Sequence, residues 1–377
     1  MMSNAVSIIQ ELEAIALSPY KSVMMTMKET GKEAIGCFPI YAPEELIYAA
    51  GMLPVGMWGG DTELKLADRY LQTFCCSIMR SNIEYSMKGA YDMLKAVIIP
   101  TFCDTLKCIC ENWKVSAPRI PVIPMVYPQN RRIDAGFVYM TEELERVRGA
   151  LEEISEKPIT DAMLEDAFAV YEAYRSAMRE FVSVAAEHPE MINARSRHLI
   201  IKAAYFSDKK AYTDKINKLT EALKKESVKP FPGIKVVATG LIAEPPALLD
   251  IFAKNNVAIA ADDLAQESRQ FRALSRKSGN VIQRLAWRIV DQQGCTFLYE
   301  VEKTRGQMLI EQVRNTGSKG VVVFMMKFCD PEEFDYPIYK EELERAGIPV
   351  LYLETEQQMD SFAQIETRVQ SFAEMLA

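Results

Sequence analysis

The chain has 377 residues and a mass of 42.7 kDa, with 49% hydrophobic and 25% charged side chains. That is an ordinary globular balance, able to bury a sizeable core and long enough for two domains of roughly 100–200 residues each. The net charge of −8 and pI of about 5.2, with no dense basic run, argue against a nucleic-acid partner.

The opening segment, MMSNAVSIIQELEAIA, carries Glu11 and Glu13 and no basic cluster, so it reads as an amphipathic helix rather than a signal peptide. No apolar run is long enough to span a bilayer, and a soluble, cytoplasmic protein with no membrane partner is expected. Residues 1–33 read as helix interrupted at Pro19. Strands and helices then alternate: AIGCFPIY (34–41) ends as a strand, and PEELIYAAG (43–51) is a helix opened by Pro43 and closed by Gly51. LPVGMW (53–58) is a strand, 76–94 a helix, KAVIIP (95–100) a buried strand, 104–114 a helix and RIPVIPMV (119–126) a strand.

From Thr141 to about Val228 nearly everything is helix formers and charge, with Thr141 as the expected cap of TEELERVRGALEEISE. After KPFPG the alternation resumes. It gives strands at 234–240, 257–263, 320–326 and 348–354, helices at 244–255 and 332–346, helical segments through 277–316, and a closing helix from about 357. Alternation of this kind predicts parallel sheets covered by helices on both faces. The expected class is α/β: two Rossmann-like parallel-sheet domains, at 1–140 and 229–377, separated by a helical segment at 141–228.

Eight cysteines lie at positions 37, 75, 76, 103, 108, 110, 295 and 329. In an intracellular chain they are more often small buried apolar residues than disulfides. Two of them share a context. VIIPTFCD (97–104) and VVVFMMKFCD (321–330) are apolar runs that both end in Phe-Cys-Asp. Ligands of open parallel sheets bind beyond the carboxyl ends of the strands, where Cys103 and Cys329 would sit. Asp104 and Asp330 are expected as helix N-caps, Asp330 being followed by Pro331. A helix N-terminus favours the thiolate that binds metal, so a lowered thiol pKa is expected.

A third thiolate can come from Cys75 or Cys76, which point about 100° apart on a helix, so at most one of them faces the cleft. Cys108 and Cys110 are poor joint ligands, and Cys37 and Cys295 read as core. Neither Cys-x-x-Cys nor a ferredoxin spacing is present, nor a glycine-rich nucleotide motif. His188 and His198 are expected to pack or lie at the surface. Arg131-Arg132 read either as contacts to phosphate or carboxylate or as a solvated loop. Arg80 and Lys107 either balance thiolate charge or form surface ion pairs, and the ATGLIAEPP turn (238–246) either lines the cleft or is only a turn.

The segments PEELIYAAGMLPVGMWGG, CSIMRSNIEYSMKGAYDMLKAVIIPTFCDTLKCICENWK, IPVIPMVYPQNRR and VFMMKFCDPEEFDYPIYKEELERAGIPVLYLETE together resemble the 2-hydroxyacyl-CoA dehydratase family, which includes benzoyl-CoA reductase subunits. The resemblance covers most of the chain, is weakest in the helical middle, and is strongest to the smaller, beta-type subunits. It implies a [4Fe-4S] cluster on three cysteines, matching Cys76, Cys103 and Cys329 here, with Cys76 preferred to Cys75 on the family match. It implies a larger homologous alpha subunit as heterodimer partner, an ATP-dependent iron–sulfur activator that injects one electron, and an acyl-CoA substrate. For some members it also implies flavin (FMN) in the complex. The implied reaction is radical syn-elimination of water from an (R)-2-hydroxyacyl-CoA, such as 2-hydroxyglutaryl-CoA, through a ketyl radical, with the beta cluster relaying the electron. A benzoyl-CoA reductase-type subunit or a non-catalytic electron carrier is the alternative.

Overall fold

The structure, a computed structural model, describes residues 4–377. The first half runs α1 (Asn4–Leu17), α2 (Pro19–Thr30), β1 (Ala34–Cys37), α3 (Glu44–Ala49), β2 (Leu53–Gly56), α4 (Ser77–Met87), β3 (Leu94–Pro100), α5 (Asp104–Ser116) and β4 (Val122–Met125). Four helices follow, α6 (Asp134–Ser155), α7 (Asp161–Ala185), α8 (Ala194–Ala203) and α9 (Lys209–Leu223). The second half runs β5 (Ile234–Gly240), α10 (Pro246–Lys254), β6 (Val257–Leu264), α11 (Val281–Asp291), α12 (Arg305–Thr316), β7 (Gly320–Met326), α13 (Asp330–Arg345), β8 (Val350–Thr355) and α14 (Ala363–Leu376).

The strands form two four-stranded sheets, parallel throughout, ordered β2-β1-β3-β4 and β6-β5-β7-β8. The two orders are the same pattern repeated, which bears out the α/β reading and makes β3 and β7 structural equivalents. Their sequences show why they sit at the centre. Every residue of β7 is buried, and only Lys95 of β3 is exposed, as expected of strands covered on both faces.

Helices cover the sheets, and one apolar cluster joins the two halves. It holds Ile99, Leu106 and Cys76 from the first half with Leu241, Ala265, Met326 and Cys329 from the second. The leading helix packs with the helical middle, Ile9 and Leu12 lying among Phe181, Leu199 and Leu219. Helix α11 returns to the first sheet's cluster, where Ile282 and Leu285 meet Ile98 and Leu144.

Three local expectations shift. Thr141 lies inside α6, its hydroxyl donating to the Phe137 carbonyl at 2.9 Å, because the helix already starts at Asp134. The stretch 277–316 is two helices with a non-helical connection over 292–304. The closing helix begins at Ala363 because residues 356–362 cross to the other half of the molecule.

Candidate functional site

In an open parallel sheet, a cleft forms where the strand order reverses, beyond the carboxyl ends. Both sheets reverse at the same place, between β1 and β3 and between β5 and β7. Those two ends meet. The residues that follow the strands, Ile40 after β1, Trp58 after β2, Phe102 after β3, Leu241 after β5, Ala265 after β6 and Phe328 after β7, line one cavity of about 300 Å³. This is roughly ten times the ~30 Å³ that a water occupies in the liquid. The walls are mainly apolar and aromatic; Phe297 and Phe334 close them, Phe334 being 81% exposed at the rim.

Three cysteines face this space: Cys76, Cys103 and Cys329. Cys76 and Cys329 are 8% and 5% exposed, and Cys103 is half-buried. Each is the N-cap residue of a different helix, α4, α5 and α13. The expectation that Asp104 and Asp330 are the caps is therefore corrected by one position. Cys103 adopts extended backbone and its sulfur accepts the Leu106 N–H at 3.5 Å. Asp104 and Asp330 occupy the first helical turn instead, exposed to solvent, where a negative charge meets the positive end of the helix dipole.

The expected lowering of the thiol pKa is also overturned. Burial pushes the Cys76 thiol up to about 12, opposed by the Met79 amide and reinforced by the Cys103 sulfur. Burial raises Cys103 against the Leu106 and Thr105 amides, and it raises Cys329 well above the usual range, helped by the Glu332 carboxylate and by Cys76. The sequence argument counted the helix ends and omitted desolvation, which dominates for a charge placed among aromatic rings. Three thiolates in such a cavity need a compensating cation, and a coordinated metal deprotonates its thiols outright.

The remaining sequence candidates are placed as follows. Cys75 does not line the cavity; its sulfur lies toward Gln72 and Thr105. Cys110 and Cys37 are buried and Cys108 is exposed. Lys107 reaches the cavity wall and pairs with Asp104 at 3.1 Å, whereas Arg80 is held by Asp68 at 2.7 Å. Arg131 is not an anion contact: it is buried and donates to the Ile289, Gln292 and Tyr299 carbonyls, pinning the 292–304 connection. Arg132 pairs with Glu300 and Glu302. His188 and His198 are both buried, and both ring nitrogens of His198 face carboxylates, Glu267 at 3.0 Å and Glu244 at 3.3 Å. Carboxylates only accept, so both nitrogens must donate and the ring is an imidazolium.

Sequence reasoning missed the residues that hold the two halves together beside the cavity. Gln357, fully buried after β8, donates its amide to the Trp58 carbonyl at 2.9 Å and to the Glu244 carboxylate at 2.7 Å. It accepts the Gly60 N–H at 3.0 Å, and its backbone N–H reaches the Ser77 hydroxyl at 3.1 Å, one residue after Cys76. Gly59 makes room for it: a Cβ there would come within 2.4 Å of the Gln357 oxygen, and its φ of +72° suits glycine. The only sequence signal was the Gly59-Gly60 pair, since Gln357 looks like any polar loop residue.

Among the described residues, no three His, Cys, Asp or Glu side chains converge on a point suited to one metal ion. A polynuclear cluster spaces its sulfur ligands more widely than a single ion does. Soft cysteine sulfurs around a roomy, mainly apolar cavity suit iron–sulfur chemistry, and an apolar shell restrains solvent access.

Comparison with known proteins agrees over the full length. Residues 39–376 match the family model described as 2-hydroxyglutaryl-CoA dehydratase, D-component. The chain is 41% identical over 375 residues to the (R)-phenyllactyl-CoA dehydratase beta subunit of Clostridium sporogenes, covering all of both chains. It is 44% identical over 377 residues to the lactoyl-CoA dehydratase subunit beta of Anaerotignum propionicum, again covering all of both. It is 39% identical to the (R)-2-hydroxyglutaryl-CoA dehydratase subunit beta of Acidaminococcus fermentans, covering 98% of this chain and 99% of that one.

Proposed function

The chain belongs to the 2-hydroxyglutaryl-CoA dehydratase D-component family of dehydratase (hydro-lyase) subunits, and from that premise we propose that it is the beta-type, cluster-bearing subunit of an (R)-2-hydroxyacyl-CoA dehydratase. The observation that carries this reading is the convergence of Cys76, Cys103 and Cys329, three helix N-caps from both halves of the chain, on one cavity. These three would hold a [4Fe-4S] cluster, leaving its fourth position free of a cysteine from this chain.

When bound, such a cluster supplies the one-electron chemistry that elimination of water requires, since the β proton of a 2-hydroxyacyl thioester is not acidic enough for ordinary acid–base removal. The chain's own residues provide the surroundings. Trp58, Phe102, Phe297 and Leu241 exclude water, the Leu106 amide faces the Cys103 sulfur, and the Gln357 bridge keeps the two walls at fixed separation. Lys107 is the sole cation among the lining residues, so the second carboxylate of a hydroxyglutaryl group has little to bind here. That supports a substrate held mainly by a larger homologous subunit, with this cavity passing the electron that an ATP-dependent activator supplies.

The test is anaerobic reconstitution with iron and sulfide, followed by reduction and electron paramagnetic resonance. Single alanine substitutions at Cys76, Cys103 and Cys329 should each abolish stable cluster binding, and Cys75→Ala should retain it. A wild-type chain without any cluster signal, or a fully retained cluster in Cys329→Ala, refutes the reading. Turnover of phenyllactyl, lactoyl and 2-hydroxyglutaryl thioesters by the reconstituted complex then identifies the acyl group.

A further inference from the structure

Behind Cys329 lies a charge network that the proposed reaction does not use. Glu332 is the third residue of α13, the position from which a glutamate ordinarily turns back to cap its own helix. Here the side chain is fully buried and turns the other way. One carboxylate oxygen contacts Arg269 Nη1 at 3.0 Å and the other contacts Arg305 Nη1 at 2.8 Å. Both guanidiniums also hold Asp263, Arg269 through Nη2 at 2.9 Å and Arg305 through Nε at 2.8 Å. Asp263 additionally accepts from the Thr239 hydroxyl at 2.8 Å and from Arg272. In the fully buried part, two cations face two anions. Losing any one therefore leaves a buried charge uncompensated, next to the turn that carries Cys329.

We infer that Glu332 is a positioning residue for the cluster site. Gripped by Arg269 and Arg305, it anchors the first turn of α13, aims Cys329 into the cavity and sets a buried negative charge three positions along the chain from that cysteine. The inference rests on the reading of Cys76, Cys103 and Cys329 as cluster ligands. A negative charge beside a redox centre opposes the arrival of an electron, so Glu332 holds the midpoint potential down. The Glu332 carboxylate is the foremost charge acting on the Cys329 thiol, which supports the placement.

The test is a redox titration of the reconstituted full-length chain, with dithionite as one-electron donor and the paramagnetic resonance signal as readout. Glu332→Gln, which keeps the shape and removes the charge, should retain iron and move the midpoint potential in the positive direction. Glu332→Asp, which keeps the charge, should stay close to wild type. A loaded Glu332→Gln protein with the wild-type potential overturns the inference alone, and a wild-type chain that takes up no iron overturns the underlying reading with it. Should Glu332→Gln fail to hold iron, Glu332→Asp decides: it must hold iron with a potential near the wild-type value, and an iron-free or positively shifted Glu332→Asp protein overturns the inference.

Discussion

Replacing Gln357 with alanine should loosen the joint between the two halves without changing any side chain that lines the cavity. The side chain makes two neutral hydrogen bonds, to the Trp58 carbonyl at 2.9 Å and from the Gly60 amide at 3.0 Å. It makes a third, at 2.7 Å, to the charged Glu244. A neutral bond contributes about 0.5–1.5 kcal/mol and one to a charge about 1.5–3 kcal/mol, and truncation leaves buried partners unsatisfied. The three act on one side chain and do not add fully, so the expected loss is roughly 3–4 kcal/mol. Glu244 keeps Lys202 and His198, which limits the damage on that side. Against a total stability of about 5–15 kcal/mol this is large. Urea unfolding measures the loss directly. Hydrogen exchange localises it: the Gly60 amide should exchange roughly 100- to 1,000-fold faster, because about 1.4 kcal/mol is tenfold in an opening equilibrium. A loss below about 1 kcal/mol together with unchanged exchange at Gly60 would refute the idea that Gln357 ties the halves.

Three further outcomes are expected. His198 is held protonated by Glu244 and Glu267 despite its burial, so its folded pKa is raised above the unfolded value of about 6.5. That contribution is fully present below about pH 6.5 and is lost as pH rises through the folded value, so urea midpoints should fall with rising pH, and His198→Gln should flatten this part of the profile; a parallel profile in the variant would contradict the assignment. Arg131→Met removes the donors to three backbone carbonyls and should cost about 2–4 kcal/mol, with limited proteolysis appearing in the 292–304 connection. Gly36→Ala would place a Cβ 2.3 Å from Met57 Sδ and 2.9 Å from Leu94 Cδ1, and should lower the thermal midpoint by the equivalent of about 1–3 kcal/mol of overpacking.

The parallel sheets were legible because their central strands are uninterrupted apolar runs; VIIP and VVVFMM could scarcely be anything else. The echo of Phe-Cys-Asp was legible for the same reason: β3 and β7 hold equivalent places in two sheets of one topology. The cap assignment slipped by one residue because aspartate is the better cap on average, while the chain turns into both helices at cysteine, and at Cys103 the sulfur accepts the Leu106 amide. The thiol pKa values were misjudged because a helix end is visible in sequence and the aromatic walls that desolvate it are not. The buried ionic groups were beyond reach for a different reason. Arg197 meets Asp262 and Glu267, and Glu332 meets Arg269, across dozens of residues of chain, and nothing local distinguishes these charges from the many on the surface.

The cavity has no wall that one half of the chain could build alone: Ile40 and Phe102 are synthesised early, Phe328 and Cys329 close to the end. At ~5–20 residues per second, the last wall leaves the ribosome tens of seconds after the first. During that interval Cys76 and Cys103 lack the part of the enclosure that Leu241, Ala265, Phe297 and Phe328 supply. Occupancy of the site can therefore report on completion of the chain, since a truncated or half-folded product has no pocket to fill.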